Sequence, residues 1–187
     1  MKKLLLPGFI LLLVSCSGAL TDKQKAAYEK QGSEIAQEAF KELSTQLMVQ
    51  MKAGGPQAAL PFCNVQALPL TLEVAQKNEV QIKRVTNKLR NEKNAPSEMA
   101  NKQLNIYLEM KKAGIDLQPE VVRDEAETVH FYAPILIKEQ CLVCHGKPGK
   151  NMLHKTDSLV KSYYPNDRAT GYAVGDLRGI WDITFKN

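Results

Sequence analysis

The chain is organised around Cys141-Leu142-Val143-Cys144-His145. Two thiols separated by two residues, with an imidazole directly after them, have the attachment spacing of a c-type haem. The thiols add across the porphyrin vinyl groups, and the histidine is then held where it can take one axial position on the iron. Three plainer readings compete: a zinc site, a thioredoxin-like redox pair and an ordinary disulfide. A zinc site would need one or two further ligands from Cys63, His130 and His154, none of them at finger-like spacing. A thioredoxin-like pair belongs near the start of a βαβ unit, and this pair falls late in the chain.

The N-terminus reads as an export signal. Lys2 and Lys3 precede an apolar run from Leu4 to Val14 that is too short to span a membrane. The run closes on Leu13-Val14-Ser15-Cys16, which resembles a bacterial lipobox. That implies removal of residues 1–15 and a lipid on Cys16; the plainer alternative is cleavage near Gly18 or Ala19. Ser17 resembles the pattern of lipoproteins sent to the outer membrane, so the expected location is the periplasmic side of the cell envelope. The net charge is +5, and about +3 once the two lysines of the leader are gone. With no basic run, nothing here argues for nucleic acid.

Four cysteines are present. Lipid would take Cys16 and haem would take Cys141 and Cys144, which leaves Cys63 over in an oxidising compartment. It is inert and buried, paired with another chain, or bound to a metal.

Thr21 with Gln24 forms a capping box, and Ile35, Ala39, Phe40, Leu43 and Leu47 recur at helical spacing, predicting a long helix over about 22–53 ended by Gly54-Gly55-Pro56. Met48 and Met51 on the same stripe read as core packing. Residues 56–69 form a short helical piece edged by prolines, with helical character continuing towards Gln76; a first strand follows over 80–85 and a polar loop over 87–96. A second amphipathic helix over about 96–113 presents Met99, Ile106 and Met110 on one face. In the strand over 128–137, Val129, Phe131, Ala133, Ile135 and Ile137 alternate with His130, Tyr132 and Pro134; the proline suggests an edge or a bulge. The haem motif follows on a short helical turn. Residues 152–164 read as loop or broken helix, and 171–174 with 178–185 as two closing strands around Gly175-Asp176. One α+β domain over 16–187, with an antiparallel sheet and packed helices, is the result.

Several segments together resemble a known group: Ala59-Leu60-Pro61-Phe62-Cys63; Arg84 through Asn91 with Asn94-Ala95-Pro96; residues 141–146; Asp167-Arg168-Ala169-Thr170-Gly171-Tyr172; and Gly175 through Gly179. The chain is similar to the c-type haem family of PAS-like domains. The resemblance implies a PAS-like fold, one covalent haem, and an axial pair made of His145 and Cys63. No role passes to Glu98, whose neighbours differ from the family pattern.

From the residues alone the second axial position has other claimants, namely His130, His154, Met152 or an open site, and Cys63 stands about level with an inert cysteine until the resemblance is added. Arg84, Arg90 and Arg178 could pair with haem carboxylates or simply be solvated. A thiolate ligand lowers the potential, which favours a lipid-anchored redox or diatomic-gas sensor over a respiratory relay. With no kinase or cyclase region in the sequence, any signal passes to a protein partner. Simple electron transfer is the main alternative. A peroxidase is disfavoured, because no acid–base pair stands out beside an open iron. Pairing of the long N-terminal helix between protomers is left open.

Overall fold

The computed structural model describes residues 19–186. The leader, the lipobox and Cys16 lie outside them. Five helices and a four-stranded antiparallel sheet make an α+β fold. Helix α1 (Asp22–Gly54) starts at the expected capping box: the Thr21 hydroxyl accepts from Gln24 N–H, and the Gln24 side chain answers the Thr21 N–H. At Gly55, φ of +63° is a conformation glycine adopts without penalty, and it reverses the chain directly into α2 (Pro56–Lys77). Pro69 does not edge a short helical piece as the sequence suggested; with Pro61 and Pro69 inside it, α2 is one continuous helix of 22 residues. Each proline removes one intrahelical bond, and packing of α2 on α1, β1 and a later helix, α5 (His154–Tyr163), holds it together. By length and composition α2 could cross a membrane, but here it is a packed member of the domain.

The sheet order is β1 (Val80–Val85), β4 (Leu177–Phe185), β3 (Val129–Leu136), β2 (Glu120–Arg123). The α1–α2 hairpin covers one face, where Ile35, Ala39, Val74, Ile82, Phe131, Trp181 and Ile183 interlock. The other face carries α3 (Glu98–Lys112), through Ala100, Leu104 and Tyr107 against Tyr132 and Ile180. Both faces of β3 are therefore covered, although its alternation is visible as Phe131 facing the hairpin and Tyr132 facing α3. Pro134 fits because β2 pairs only as far as Tyr132, leaving that flank of β3 open, and a bulge follows at Ile135/Leu136.

Four expectations need correction. α3 buries Ala100, Gln103, Leu104 and Tyr107, while Ile106 is exposed. Met48 is exposed rather than in the core, because no α1 residue after Ala39 is fully buried. Residues 154–163 are a regular helix, anchored by Val160 against Leu60 and Tyr164. Residues 171–174 are not a strand: their backbone turns through positive φ at Gly171 and Gly175.

His130 sits on the α3 face, between two carboxylates. Its Nε2 lies 3.3 Å from Asp124 Oδ2, its Nδ1 lies 3.3 Å from Thr184 Oγ1, and Asp182 Oδ1 stands 3.8 Å from Nδ1. Asp182 does most to hold this imidazole above its ordinary range, burial opposes it, and Asp124 adds to the rise. A raised folded value means the stabilisation is complete below the unfolded value of about 6.5 and is lost as pH climbs through the folded value. His130→Gln is therefore expected to lower stability by about 1 kcal/mol near pH 5, roughly 2–4 °C in Tm. The deficit should shrink towards pH 9 in thermal melts. A deficit that grows with pH would contradict this.

Candidate functional site

The strand directions bring three chain segments to one end of the sheet, where β1 and β3 finish and β4 begins. Ile137 N–H donates to Asp176 O at 2.9 Å and Gly175 N–H donates to Ile137 O at 2.8 Å, which ties the turn before β4 to the segment leaving β3. A single 3-10 turn, Glu139–Cys141, then runs into α4 (Leu142–His145). Helical spacing places Cys141 and Cys144 on the same side of this turn. The expected short helical turn is thus present.

Residues 167–172 form a strap along the motif. Gly171 N–H donates to Gly146 O and Tyr172 N–H to His145 O, both at 3.0 Å. The Ala169 carbonyl stands 2.7 Å from His145 Nδ1. A carbonyl oxygen only accepts, so Nδ1 carries the proton and Nε2 keeps its lone pair. Tyr172 meets the imidazole edge-on at 6.2 Å. Burial holds His145 well below its ordinary range, and Arg90 and Arg178 reinforce this, so the ring is neutral at pH 7, as a metal ligand must be.

Arg90 holds the strap in place. Its Nε donates to Asp167 Oδ1 at 3.0 Å, and its Nη2 reaches Cys144 O at 2.6 Å, with Asp167 Oδ2 and Ala169 O at 3.3 Å. Asp167 Oδ1 also accepts from Ala169 N–H at 3.1 Å. The pair is nearly closed to water, at 11% and 3% side-chain exposure. Of the three arginines weighed above, this one is already engaged.

Cys63 lies in the first half of α2. Since α2 leads directly into β1, its early turns lie back along β1 towards the motif. Burial pushes the Cys63 thiol up, while Arg84 and Arg90 pull the other way. Burial likewise raises Cys144, and Cys63 is close enough to add to that rise. Cys63, Cys141 and Cys144 are all free thiols. α2 and α4 both pack on α5, which puts the helix that carries Cys63 on the motif's side of the fold, a relation that 78-residue separation in sequence hides. Among the described residues no group of three or more His, Cys, Asp or Glu side chains is arranged to hold a metal ion.

The rival ligands go elsewhere. Both ring nitrogens of His130 have partners on the sheet. Met152 is fully buried, and exposed His154 folds back over Gly149. Asp167, Ala169 and Tyr172 are site residues to which sequence reasoning gave no role; their segment has no periodicity, and only the family resemblance set it apart.

A groove of about 920 Å³ adjoins the site, a size within the range of small-molecule pockets. Its walls begin at Asn64, one residue past Cys63, and share Arg90 with the strap; the four cysteine and histidine candidates are beside it rather than in its walls. Val65 and Leu72, 62% and 56% exposed, give it an apolar side, and Arg84 gives it a cationic one.

The model of the Tll0287-like family matches residues 20–185. A solved structure, that of the cyanobacterial heme-protein Tll0287, aligns with a TM-score of 0.60 at 25% identity, covering 90% of this chain and 98% of that one. No curated protein matches. With the family pattern running from before the capping box to the last residue of β4, the chain belongs to the Tll0287-like family.

Proposed function

We propose that this protein is a single-haem c-type protein of the bacterial cell envelope, anchored by lipid on Cys16 and working as a redox or diatomic-gas sensor. Cys141 and Cys144 attach the haem, and His145 and Cys63 are its axial ligands. The observation that carries the reading is the His145 Nδ1–Ala169 hydrogen bond, which fixes the tautomer and leaves Nε2 free, beside two unpaired thiols at attachment spacing. The structural relative's being a heme-protein supports it. When bound, the haem supplies a one-electron couple and an iron with one exchangeable position.

The chain's own groups explain why a sensor is favoured over a plain carrier. Burial disfavours the Cys63 thiolate, against the pull of Arg84 and Arg90. His145 is pinned by the strap. One ligand is thus fixed and the other is poised to leave. A PAS-like signalling domain handing its state to a protein partner fits that asymmetry.

The test is electron paramagnetic resonance of the ferric protein, produced with the c-type haem attachment machinery, beside Cys63→Ser. The expected result is a low-spin thiolate signal that is lost in the variant, with covalent haem retained in both. Carbon monoxide should bind the reduced protein. A signal indifferent to the substitution removes Cys63 as a ligand. A thiolate signal with no carbon monoxide binding on reduction leaves the simple electron-transfer reading.

A further inference from the structure

Charge accounting at the site leaves two guanidinium groups over, beside exposed Lys88, which lies 4.2 Å from the Tyr172 ring centroid and donates to Thr170 O. Arg90 is matched by Asp167. Arg84, near the end of β1, lies over Trp181 with its Cζ 5.9 Å from the ring centroid, and its Nη2 reaches the Ala67 carbonyl only at 3.5 Å. Arg178, at the start of β4, donates to Lys88 O at 3.2 Å and lies 5.7 Å from the Tyr172 ring centroid. Neither guanidinium has a carboxylate within 4.0 Å among the described residues.

Both side chains leave the same end of the sheet, because β1 ends where antiparallel β4 begins. Arg84 acts on Cys63, Arg178 acts on His145, and the two repel one another. That end of the sheet is also where the motif and its strap are seated. Burial lowers both arginines, so water only partly relieves their charge. Withdrawing a cation from water without a counter-charge is costly. Two such cations at one site match a ligand with two carboxylates and an apolar body, and arginine binds carboxylate through two parallel donors.

We propose that Arg84 and Arg178 each hold one of the two haem carboxylates, fixing how the group lies between Cys63 and His145. This rests on the haem reading above. Arg84→Gln and Arg178→Gln, with exposed Lys30→Gln on α1 as control, would be made in the haem-loaded protein. Three quantities would be read: covalent haem by pyridine haemochrome, the carboxylate bending modes by resonance Raman, and the midpoint potential against pH.

Each glutamine variant should keep its covalent haem, and one bending mode should shift in each. The pH-dependent segment of the potential should move up by about one to three pH units, since a carboxylate deprived of its adjacent cation titrates higher. Lys30→Gln should match the parent protein. Arg84→Lys and Arg178→Lys, which keep the charge without the paired donors, should restore most of the pH profile but not the bending mode. Modes and profiles unchanged in haem-loaded glutamine or lysine variants would overturn the arginine assignment while leaving the haem reading intact. A parent protein without covalent haem would overturn the haem reading itself.

Discussion

Asp167→Ala is expected to be the most damaging single substitution near the site, costing about 3–5 kcal/mol of folding stability. Its carboxylate is 3% exposed and answers two donors of Arg90 as well as the Ala169 N–H. Removing it leaves a guanidinium that is 11% exposed with two carbonyls and no counter-charge. An unpaired charge in that setting costs far more than the net worth of the pair, so the double variant Arg90→Met/Asp167→Leu should be less unstable than Asp167→Ala alone. Because Arg90 also fixes the Cys144 and Ala169 carbonyls, the single variant should lose imidazole order together with stability. Urea unfolding of the parent and the two variants measures both losses. A loss below about 1 kcal/mol for Asp167→Ala would show that water reaches the pair after all.

The second large effect is expected far from the site, at Gly32. In an exposed helix, replacing glycine with alanine gains about 1 kcal/mol. Here a Cβ at position 32 would fall 2.3 Å from Phe131 Cγ, with two more ring carbons within 2.7 Å. Phe131 is completely buried at the centre of the hairpin-facing core and has nowhere to retreat. Gly32→Ala should therefore destabilise by about 1–3 kcal/mol, the reverse of its propensity sign. Phe131→Leu is itself destabilising, but adding it to Gly32→Ala should cost less than the sum of the two, because the shorter side chain vacates the contested space. Strict additivity in thermal or urea melts would rule out the contact as the cause.

What could be read from the chain follows from how local each signal is. The capping box at Thr21 and the Gly54-Gly55-Pro56 stop bound α1 within two residues, since both act over a single turn. The motif's helical turn and β1 were equally local. By contrast β2 is four residues long, and only Val121 and Val122 mark it within polar surroundings. In α3 the sequence favoured the methionine stripe, whereas the sheet selected Ala100 and Leu104, with Gln103 and Tyr107 filling the seam. α5 looked like loop because few of its residues are apolar; Val160 and the partners it meets across the chain decide otherwise. At the site, the Cys141, Cys144 and His145 triplet was plain. The Arg90–Asp167 pair spans 77 positions, and no local pattern could announce it. The bonds from residues 171 and 172 to the motif likewise replace the ladder that a closing strand would have made.

The strand order carries a consequence for how the molecule comes into being. β4 is the last element of the chain, yet it lies between β1 and β3, which share no bonds with each other. Until residue 177 onward has been made, the sheet exists as two unconnected pieces, and the strap that steadies His145 has no strand to lead into. Closure by such distant pairing is slow compared with formation of the α1–α2 hairpin. Cys141 and Cys144 therefore leave the ribosome well before their surroundings can assemble, and β4 acts as the keystone that shuts the domain around them.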